Sequence, residues 1–158
     1  MEEGKIYVTK QRLVEIEEEI RNLKVHGRKD IAMRIADARA QGDLSENAEY
    51  DAAREEQGLL ELRIHKMEEM LARISIIDES TIATDKVGIM TKVKVKNGKT
   101  GKDNVYRIVS AEEADFEGGK ISMSSPIGRA LMNKKVGDEV QVKVPAGILD
   151  LKIVSIGK

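Results

Sequence analysis

One short segment, Gly42-Asp43-Leu44-Ser45-Glu46-Asn47, interrupts a stretch that otherwise has the composition of a helix, from Thr9 to about Ile77. That stretch contains no Pro and is dominated by Glu, Arg, Lys, Ala, Leu and Ile. Gly is favoured immediately after a helix, and Asp or Ser is favoured as the N-cap of the next one. The segment therefore predicts a turn between two helices.

Both flanking arms carry the apolar seam of a coiled coil, with apolar residues at alternating steps of three and four. They are Leu13, Ile16, Ile20 and Leu23 in the first arm, and Leu60, Ile64, Met67, Leu71 and Ile74 in the second. The two series mirror each other about residue 45. This symmetry pairs Ile16 with Ile74, Ile20 with Leu71, Leu23 with Met67, Ile31 with Leu60, and Ala38 with Ala53.

Such a mirror is what an antiparallel hairpin requires, so we predict a long N-terminal antiparallel coiled-coil hairpin over residues 1–77, with its tip at 42–47. Arms of roughly 30 residues, at ~1.5 Å per residue, place the tip about 45 Å from the base. Gly27 falls at a seam position and the spacing from Leu23 to Ile31 is one residue too long, which predicts a stutter or bend. Near the tip the seam consists of small residues that allow close approach: Ala38, Ala48, Ala52 and Ala53.

The second half of the chain has a different pattern. Residues 78–85 are polar and aperiodic, which predicts a linker. Residues 86–158 alternate apolar and polar positions around β-branched residues, at Val87/Ile89, Val93/Val95, Val105/Ile108, Val140/Val142/Val144 and Leu149/Leu151/Ile153. Asn97-Gly98-Lys99-Thr100-Gly101 predicts a hairpin turn, and Ser125-Pro126 predicts the start of one short helix. We therefore expect a small α+β domain, an antiparallel sheet with a single helix.

Composition excludes several kinds of function. The chain has 158 residues, no Cys, two His and 3% aromatic residues, so disulfides, thiolate catalysis, Cys-ligated metals and a stacking platform for single-stranded nucleic acid are excluded. A net charge of −1 argues against coating nucleic acid by bulk electrostatics. The absence of a long apolar run and of a signal-peptide core predicts a cytoplasmic protein with no membrane partner.

The tip carries the residues that are candidates for chemistry. Asp43 and Glu46 have a spacing that suits a shared Mg²⁺, but the commoner use of this spacing is a capping box with Asp43 as N-cap and Glu46 at the third helical position. Arg39 and Arg54 flank the turn, where they are suited either to RNA phosphates or to exposed pairs with neighbouring carboxylates. Tyr50 is suited to stacking on a base or to packing. The residues alone leave these alternatives open.

The tip segment resembles the bacterial transcript-cleavage factors of the Gre family, on the run Gly42-Asp43-Leu44-x-Glu46-Asn47-Ala48-Glu49-Tyr50-x-Ala52-Ala53-Arg54. A second stretch, Glu113–Phe116 followed by Ile121–Leu131, resembles the C-terminal domain of that family. The resemblance implies an FKBP-like shape for residues 86–158. It also implies an accessory factor, not an enzyme, whose hairpin enters the secondary channel of bacterial RNA polymerase and stimulates cleavage of the backtracked RNA 3′ end.

The resemblance further implies roles for particular residues. Asp43 and Glu46 help to hold a Mg²⁺ shared with the polymerase active centre, with no cofactor bound by the factor alone. Arg39 and Arg54 contact RNA. Ser124, Ser125 and Pro126 dock on the β′ rim of the channel, although some family members have Asp at the position of Ser124. We expect a monomer.

Three other functions stay open at this stage. A relative that merely occupies the channel inhibits the polymerase, but the intact Asp43/Glu46 pair speaks against this. A coiled-coil adaptor, with the second domain a prolyl isomerase, predicts indifference to the tip carboxylates, and the few aromatics make an isomerase pocket doubtful. A free-standing metal nuclease requires tight Mg²⁺ binding that carboxylates on a tip without rigid support do not supply.

Overall fold

A computed structural model describes residues 4–42 and 47–158, which divide into two compact units. One unit is Lys10–Ile74, and the other joins the residues before Lys10 to Ser75–Lys158. The predicted fold class, a helical hairpin followed by a small sheet domain with one short helix, is confirmed. In the described part of the chain, no helix is both long and apolar enough to cross a membrane.

The helical unit consists of two arms. The first arm is α1 (Lys10–Asn22), a π-helical turn (Leu23–Gly27) and α2 (Arg28–Ala40), and the second is α3 (Ala48–Ala72). Ile31, Ile35 and Ala53 form a buried cluster against which Tyr50 and Leu60 pack, in agreement with the predicted pairing of Ile31 with Leu60. Ala38 is buried as predicted, whereas Ala48 and Ala52 are exposed and do not belong to the seam.

The π-helical turn is the physical form of the predicted stutter. It accommodates the extra residue between Leu23 and Ile31, because a π turn contains one residue more than an α turn. An added Cβ at Gly27 would lie 3.3 Å from a terminal methyl of Leu60, so a larger residue here requires that side chain to shift by a few tenths of an ångström. The irregularity thus lets the seam resume in register at Ile31.

Ion pairs between the arms support the antiparallel register. Arg28 binds Glu61 through two bonds, from Nε at 2.8 Å and from Nη2 at 2.9 Å, and Lys24 pairs with Glu68 and Arg34 with Glu56. Each pair joins positions at similar distances along the chain from the turn. The hydrogen bonds from Arg28 lower the pKa of Glu61, and those from Lys24 lower the pKa of Glu68. These contributions to stability are present above the ordinary Glu pKa and are lost as the pH falls below it.

The end of the second arm differs from its prediction. The helix stops at Ala72, and Ile74–Ile76 forms a strand, β2, that pairs with β1 (Ile6–Val8). Ile74 therefore lies in a strand, which corrects the prediction that it continues the helical seam. Ile74 and Ile76 are β-branched and flank Ser75, a pattern that favours a strand. Helical spacing of apolar residues alone does not show whether the last apolar residue of the series belongs to the helix or to a following strand.

The second unit is built on a five-stranded sheet of order β5-β4-β3-β7-β6. Its strands are β3 (Lys92–Asn97), β4 (Asp103–Val109), β5 (Lys120–Ser122), β6 (Glu139–Val144) and β7 (Gly147–Gly157). All neighbours are antiparallel except β4 and β5, which are parallel. The predicted Asn97 turn is confirmed, with Asn97 Oδ1 accepting bonds from the N–H groups of Lys99 and Thr100.

The core of this unit lies on one face of the sheet. Val93, Val95, Ile108 and Ile153 are completely buried there, as is Leu131 of the short helix α4 (Pro126–Leu131). The segment around Val87 and Ile89, predicted as a strand, is irregular instead. Val87 is buried and its N–H donates to Lys134 O, so its apolar character reflects core packing and not membership of the sheet.

Candidate functional site at the hairpin tip

The tip is framed by the end of α2 and the start of α3, while Asp43 and Glu46 lie outside the described residues. At the end of α2, Gln41 N–H donates to Ala38 O, and Gly42 follows with φ +124°. Gly42 thus has the predicted role of the left-handed residue that terminates a helix. The first arm therefore ends at the position that the sequence predicts.

The start of α3 corrects the predicted capping box. The helix begins at Ala48, and its N-cap is Asn47, whose Oδ1 accepts a bond of 3.1 Å from Tyr50 N–H. Asp43 is therefore not the N-cap of this helix, and Glu46 is not its third residue. The sequence analysis missed Asn47, although Asn is as good an N-cap as Asp or Ser. The capping-box alternative for Asp43 and Glu46 therefore does not apply to α3.

Asn47 also joins the two arms. Its Nδ2 donates to Ala38 O over 2.6 Å, so one amide caps α3 and holds the end of α2 at the same time. Only a side chain with both an acceptor and a donor can do this. Asn47 thereby fixes the distance between the end of α2 and the start of α3, which residues 43–46 connect.

We expect Asn47→Asp to keep the cap and lose the cross-arm bond, because a carboxylate accepts but does not donate. The free energy of unfolding of the hairpin should fall by about 1 kcal/mol, measured by urea denaturation at 222 nm. The control is Gln57→Glu, which makes the same chemical change on α3, where Gln57 Oε1 only accepts a bond from Arg54. An equal loss in both variants would show that the cross-arm bond contributes nothing.

The two predicted RNA-contact residues have no carboxylate partner in the described part of the chain. Arg54 Nη1 donates to Gln57 Oε1 over 2.9 Å, and the Arg39 guanidinium carbon lies 5.8 Å from the centre of the Tyr50 ring. Among the described carboxylates, Asp37, Asp51 and Glu55 therefore do not form the expected ion pairs with these arginines. Tyr50 packs against the buried cluster, which confirms the packing alternative for it and leaves one ring face to hold Arg39.

The acidic residues described at this end are Glu49 and Asp51, both exposed in the first turn of α3. They suit the positive end of the helix dipole. Within residues 4–42 and 47–158, no group of three or more His, Cys, Asp or Glu side chains is arranged to hold a metal ion. The donors that fit a hard cation by their chemistry are the carboxylate oxygens of Asp43 and Glu46.

The predicted docking residues begin α4. Ser125 is its N-cap, with Oγ accepting from Gly128 N–H at 3.0 Å and donating to Ser122 O at 2.7 Å. Ser124 is exposed, and its Oγ lies 2.7 Å from Ser122 Oγ. Hydroxyl groups thus fix the geometry of the segment, and Pro126 stands exposed at the first helical position.

An apolar groove of about 350 Å³ adjoins these residues, which the sequence analysis did not foresee. Its lining includes Phe116, Ile121, Ser125, Pro126, Ile127 and Pro145. Phe116 is 70% exposed although it is the one Phe of the chain. An exposed aromatic ring beside an apolar groove is typical of a protein-binding surface.

Two family models together match nearly the whole chain. "Transcription elongation factor, N-terminal" matches residues 6–76, and "Transcription elongation factor, GreA/GreB, C-term" matches residues 82–158. A helical hairpin followed by a small sheet unit is thus the architecture of a class of transcription elongation factors. The chain belongs to the GreA/GreB family, and the resemblance found in the sequence is confirmed.

Individual relatives agree with this assignment. The chain is 47% identical over 150 residues to the transcription elongation factor GreA of Amoebophilus asiaticus, covering 95% of this chain and 96% of that protein. It is 48% identical over 154 residues to GreA of Prosthecochloris aestuarii, covering 96% of each. A solved structure, GreA factor homolog 1 of Thermus thermophilus, is 23% identical with a TM-score of 0.45, covering 98% of this chain and 99% of that one.

Proposed function

We propose that the protein inserts the hairpin tip into the secondary channel of bacterial RNA polymerase and stimulates cleavage of the backtracked RNA 3′ end. The family assignment over both halves of the chain carries this proposal. The tip supports it, because the carboxylates of Asp43 and Glu46 are not needed to cap α3 and the guanidinium groups of Arg39 and Arg54 have no carboxylate partner among the described residues.

The protein acts as an accessory factor, in the cytoplasm and as a monomer, with no catalytic activity of its own. Asp43 and Glu46 would hold a Mg²⁺ together with ligands from the polymerase, and such an ion would supply Lewis acidity to the cleavage reaction. Arg39, held over Tyr50, and Arg54 bind RNA phosphates and so orient the 3′ segment.

A backtracked polymerase complex with 3′-labelled RNA and Mg²⁺ tests the proposal. We expect short labelled fragments when the protein is added and far fewer without it. Slower RNA synthesis without fragment release would indicate a channel-occupying inhibitor instead. Absence of polymerase binding would favour the adaptor, and RNA cleavage by the protein without polymerase would indicate a nuclease.

Docking is assigned to Ser124, Ser125 and Pro126 together with the neighbouring groove. We expect Phe116→Ser to weaken polymerase binding about tenfold, because a buried aromatic anchor typically contributes more than 1 kcal/mol to an interface. The binding equilibrium between each variant and labelled polymerase is measured. The control is Ile148→Ser, which removes another exposed apolar side chain, 48% accessible, from the same unit. Equal weakening in both variants, or none in either, would contradict docking at this groove.

A further inference from the structure

Ser110, directly after β4, is a buried polar residue whose hydroxyl bonds to a distant part of the chain. The residue is 4% exposed and stands at the N-cap of a 3₁₀ turn, Ala111–Glu113, without forming a cap bond there. Serine hydroxyls in such positions commonly bond to nearby backbone groups. Ser110 Oγ instead accepts a bond of 3.0 Å from Tyr7 N–H, 103 residues away. Ser110 therefore joins β1 to the end of β4.

The bond uses the edge of β1 that points away from β2. Ile77 N–H donates to Val8 O over 2.8 Å, so the backbone groups of Val8 face the β2 side. Because these groups alternate in direction along an antiparallel strand, Tyr7 N–H points to the other side, where Ser110 lies. Ile6 and Val8 are 0% and 1% exposed. The bond thus holds a strand that is already buried on both sides of Tyr7.

The two-stranded sheet of β1 and β2 is the base from which both arms of the hairpin start. β1 ends at Val8 and α1 begins at Lys10, while α3 ends at Ala72 and β2 begins at Ile74. One residue separates each strand from its helix. Any movement of β1 relative to Ser110 therefore displaces the first residues of α1.

A short run of hydrogen bonds also connects Ser110 to the proposed docking segment. Its neighbour Val109 pairs with Ser122 of β5, and Val109 O accepts a bond of 2.8 Å from Met123 N–H. Ser122 O in turn accepts a bond of 2.7 Å from Ser125 Oγ. The end of β4 thus holds the docking segment through Val109 and the base of the hairpin through Ser110.

Small movements at one end of a hairpin arm become large at its other end. α3 has 25 residues and is about 37 Å long, so a rotation of about 3° about its base displaces its start at the tip by about 2 Å. A misplacement of about 1 Å in reacting groups can reduce a rate about 100-fold. One hydrogen bond at the base can therefore affect a reaction at the tip.

We propose that Ser110 is a positioning residue for stimulated RNA cleavage, because it holds β1 and the start of α1 to the strand end that also holds the docking segment. This inference rests on the proposed function, in which the tip carboxylates act at the polymerase active centre. Ser110 is buried and does not itself contact polymerase, RNA or metal. Its loss should therefore lower the rate of cleavage by bound protein and not the affinity for polymerase.

The test compares Ser110→Ala with Thr91→Val in the full chain, on a backtracked polymerase complex with 3′-labelled RNA. Thr91 is a matched control, because it is 1% exposed and its hydroxyl bonds only within its own loop, to Gly88 N–H and O. We expect Ser110→Ala to lower the maximal rate of fragment release about tenfold and Thr91→Val to stay within about twofold. The protein concentration that gives half-maximal cleavage should change less than about twofold in both variants.

Amide hydrogen exchange measures the bond itself, without polymerase. Tyr7 N–H should exchange at least about tenfold faster in Ser110→Ala than in the wild type and at an unchanged rate in Thr91→Val. Ser110→Cys keeps a weaker acceptor of similar size and should give intermediate values in both measurements. If Ser110→Ala does not fold, Ser110→Cys decides the test.

Several outcomes overturn the positioning role and leave the proposed function in place. They are unchanged exchange at Tyr7, equal losses of maximal rate in Ser110→Ala and Thr91→Val, and a higher half-maximal concentration with an unchanged maximal rate, which would assign Ser110 to docking. Wild-type protein that binds polymerase but releases no fragments overturns the proposed function, and this inference with it. A lower maximal rate in Ser110→Ala alone, together with faster exchange at Tyr7, supports the positioning role.

Discussion

Gly128→Ala is expected to lower the free energy of unfolding of the sheet unit by about 3 kcal/mol or more. A Cβ at this position would lie 2.0 Å from Ser122 O and 3.0 Å from Ser122 C. The carbonyl group cannot move away at low cost, because it accepts bonds from both Ser125 N–H and Ser125 Oγ. Gly128 is required here for space, since α4 is packed directly on the end of β5.

The matched control for this prediction is Gly58→Ala. Gly58 is also helical, but an added Cβ has nothing within 4 Å, so alanine should stabilise α3 by about 0.5–1 kcal/mol. Amide hydrogen exchange along β4 and β5 measures the effect on the sheet unit separately from the helical unit. Unchanged protection of these strands in Gly128→Ala would contradict the close packing of α4 on Ser122.

A second effect of Gly128→Ala concerns the docking segment. Because Ser125 Oγ is held between Gly128 N–H and Ser122 O, displacing Ser122 also displaces Ser125 and Pro126. A variant that remained folded should therefore lose polymerase affinity together with local stability. Phe116→Ser, by contrast, should lose affinity alone, since its side chain is mostly exposed.

Sequence patterns predicted what depends on local chemistry and periodicity. The seam, the turn at Gly42, the irregularity at Gly27 and the start of α4 follow from side-chain spacing and from residues with one preferred backbone role. The hairpin was located by its symmetry, because antiparallel pairing makes positions equidistant from a turn meet. These elements can be predicted without knowing which distant parts of the chain contact them.

Sequence patterns missed what depends on contacts between distant residues. Residue type alone does not single out Asn47, because Asp43 and Ser45 are equally good caps, whereas the structure shows Asn47 Oδ1 accepting from Tyr50 N–H. Ile74 belongs to a strand because β1, far away in sequence, pairs with β2. The groove at Phe116 combines residues from several elements.

The candidate site shows the same division. The sequence singled out Arg39, Arg54, Asp43 and Glu46 by type and position, and the structure removes two competing explanations for them. The two arginines make no ion pair in the described part of the chain, and the cap of α3 is Asn47.

Asp43→Asn combined with Glu46→Gln is expected to reduce stimulated RNA cleavage about 100-fold or more, with polymerase binding unchanged. Both changes keep the size of the side chain and remove the negative charge that a hard cation requires, and a loss of about 3 kcal/mol in the stabilisation of the reaction corresponds to this factor. Because neither residue caps α3, the helical unit should unfold at the same urea concentration as the wild type. Cleavage is measured as the rate of release of labelled 3′ fragments from a backtracked complex.

The control is Glu49→Gln/Asp51→Asn, which removes two exposed carboxylates in the first turn of α3. It makes the same change in net charge a few residues away, so general electrostatics should affect both double variants alike. We expect the control to cleave within about threefold of the wild type, because its carboxylates act on the helix dipole and not on a metal. Equal losses in the two variants would assign the effect to charge near the tip in general. Full activity in the Asp43/Glu46 variant would remove the proposed metal role while leaving the polymerase as partner.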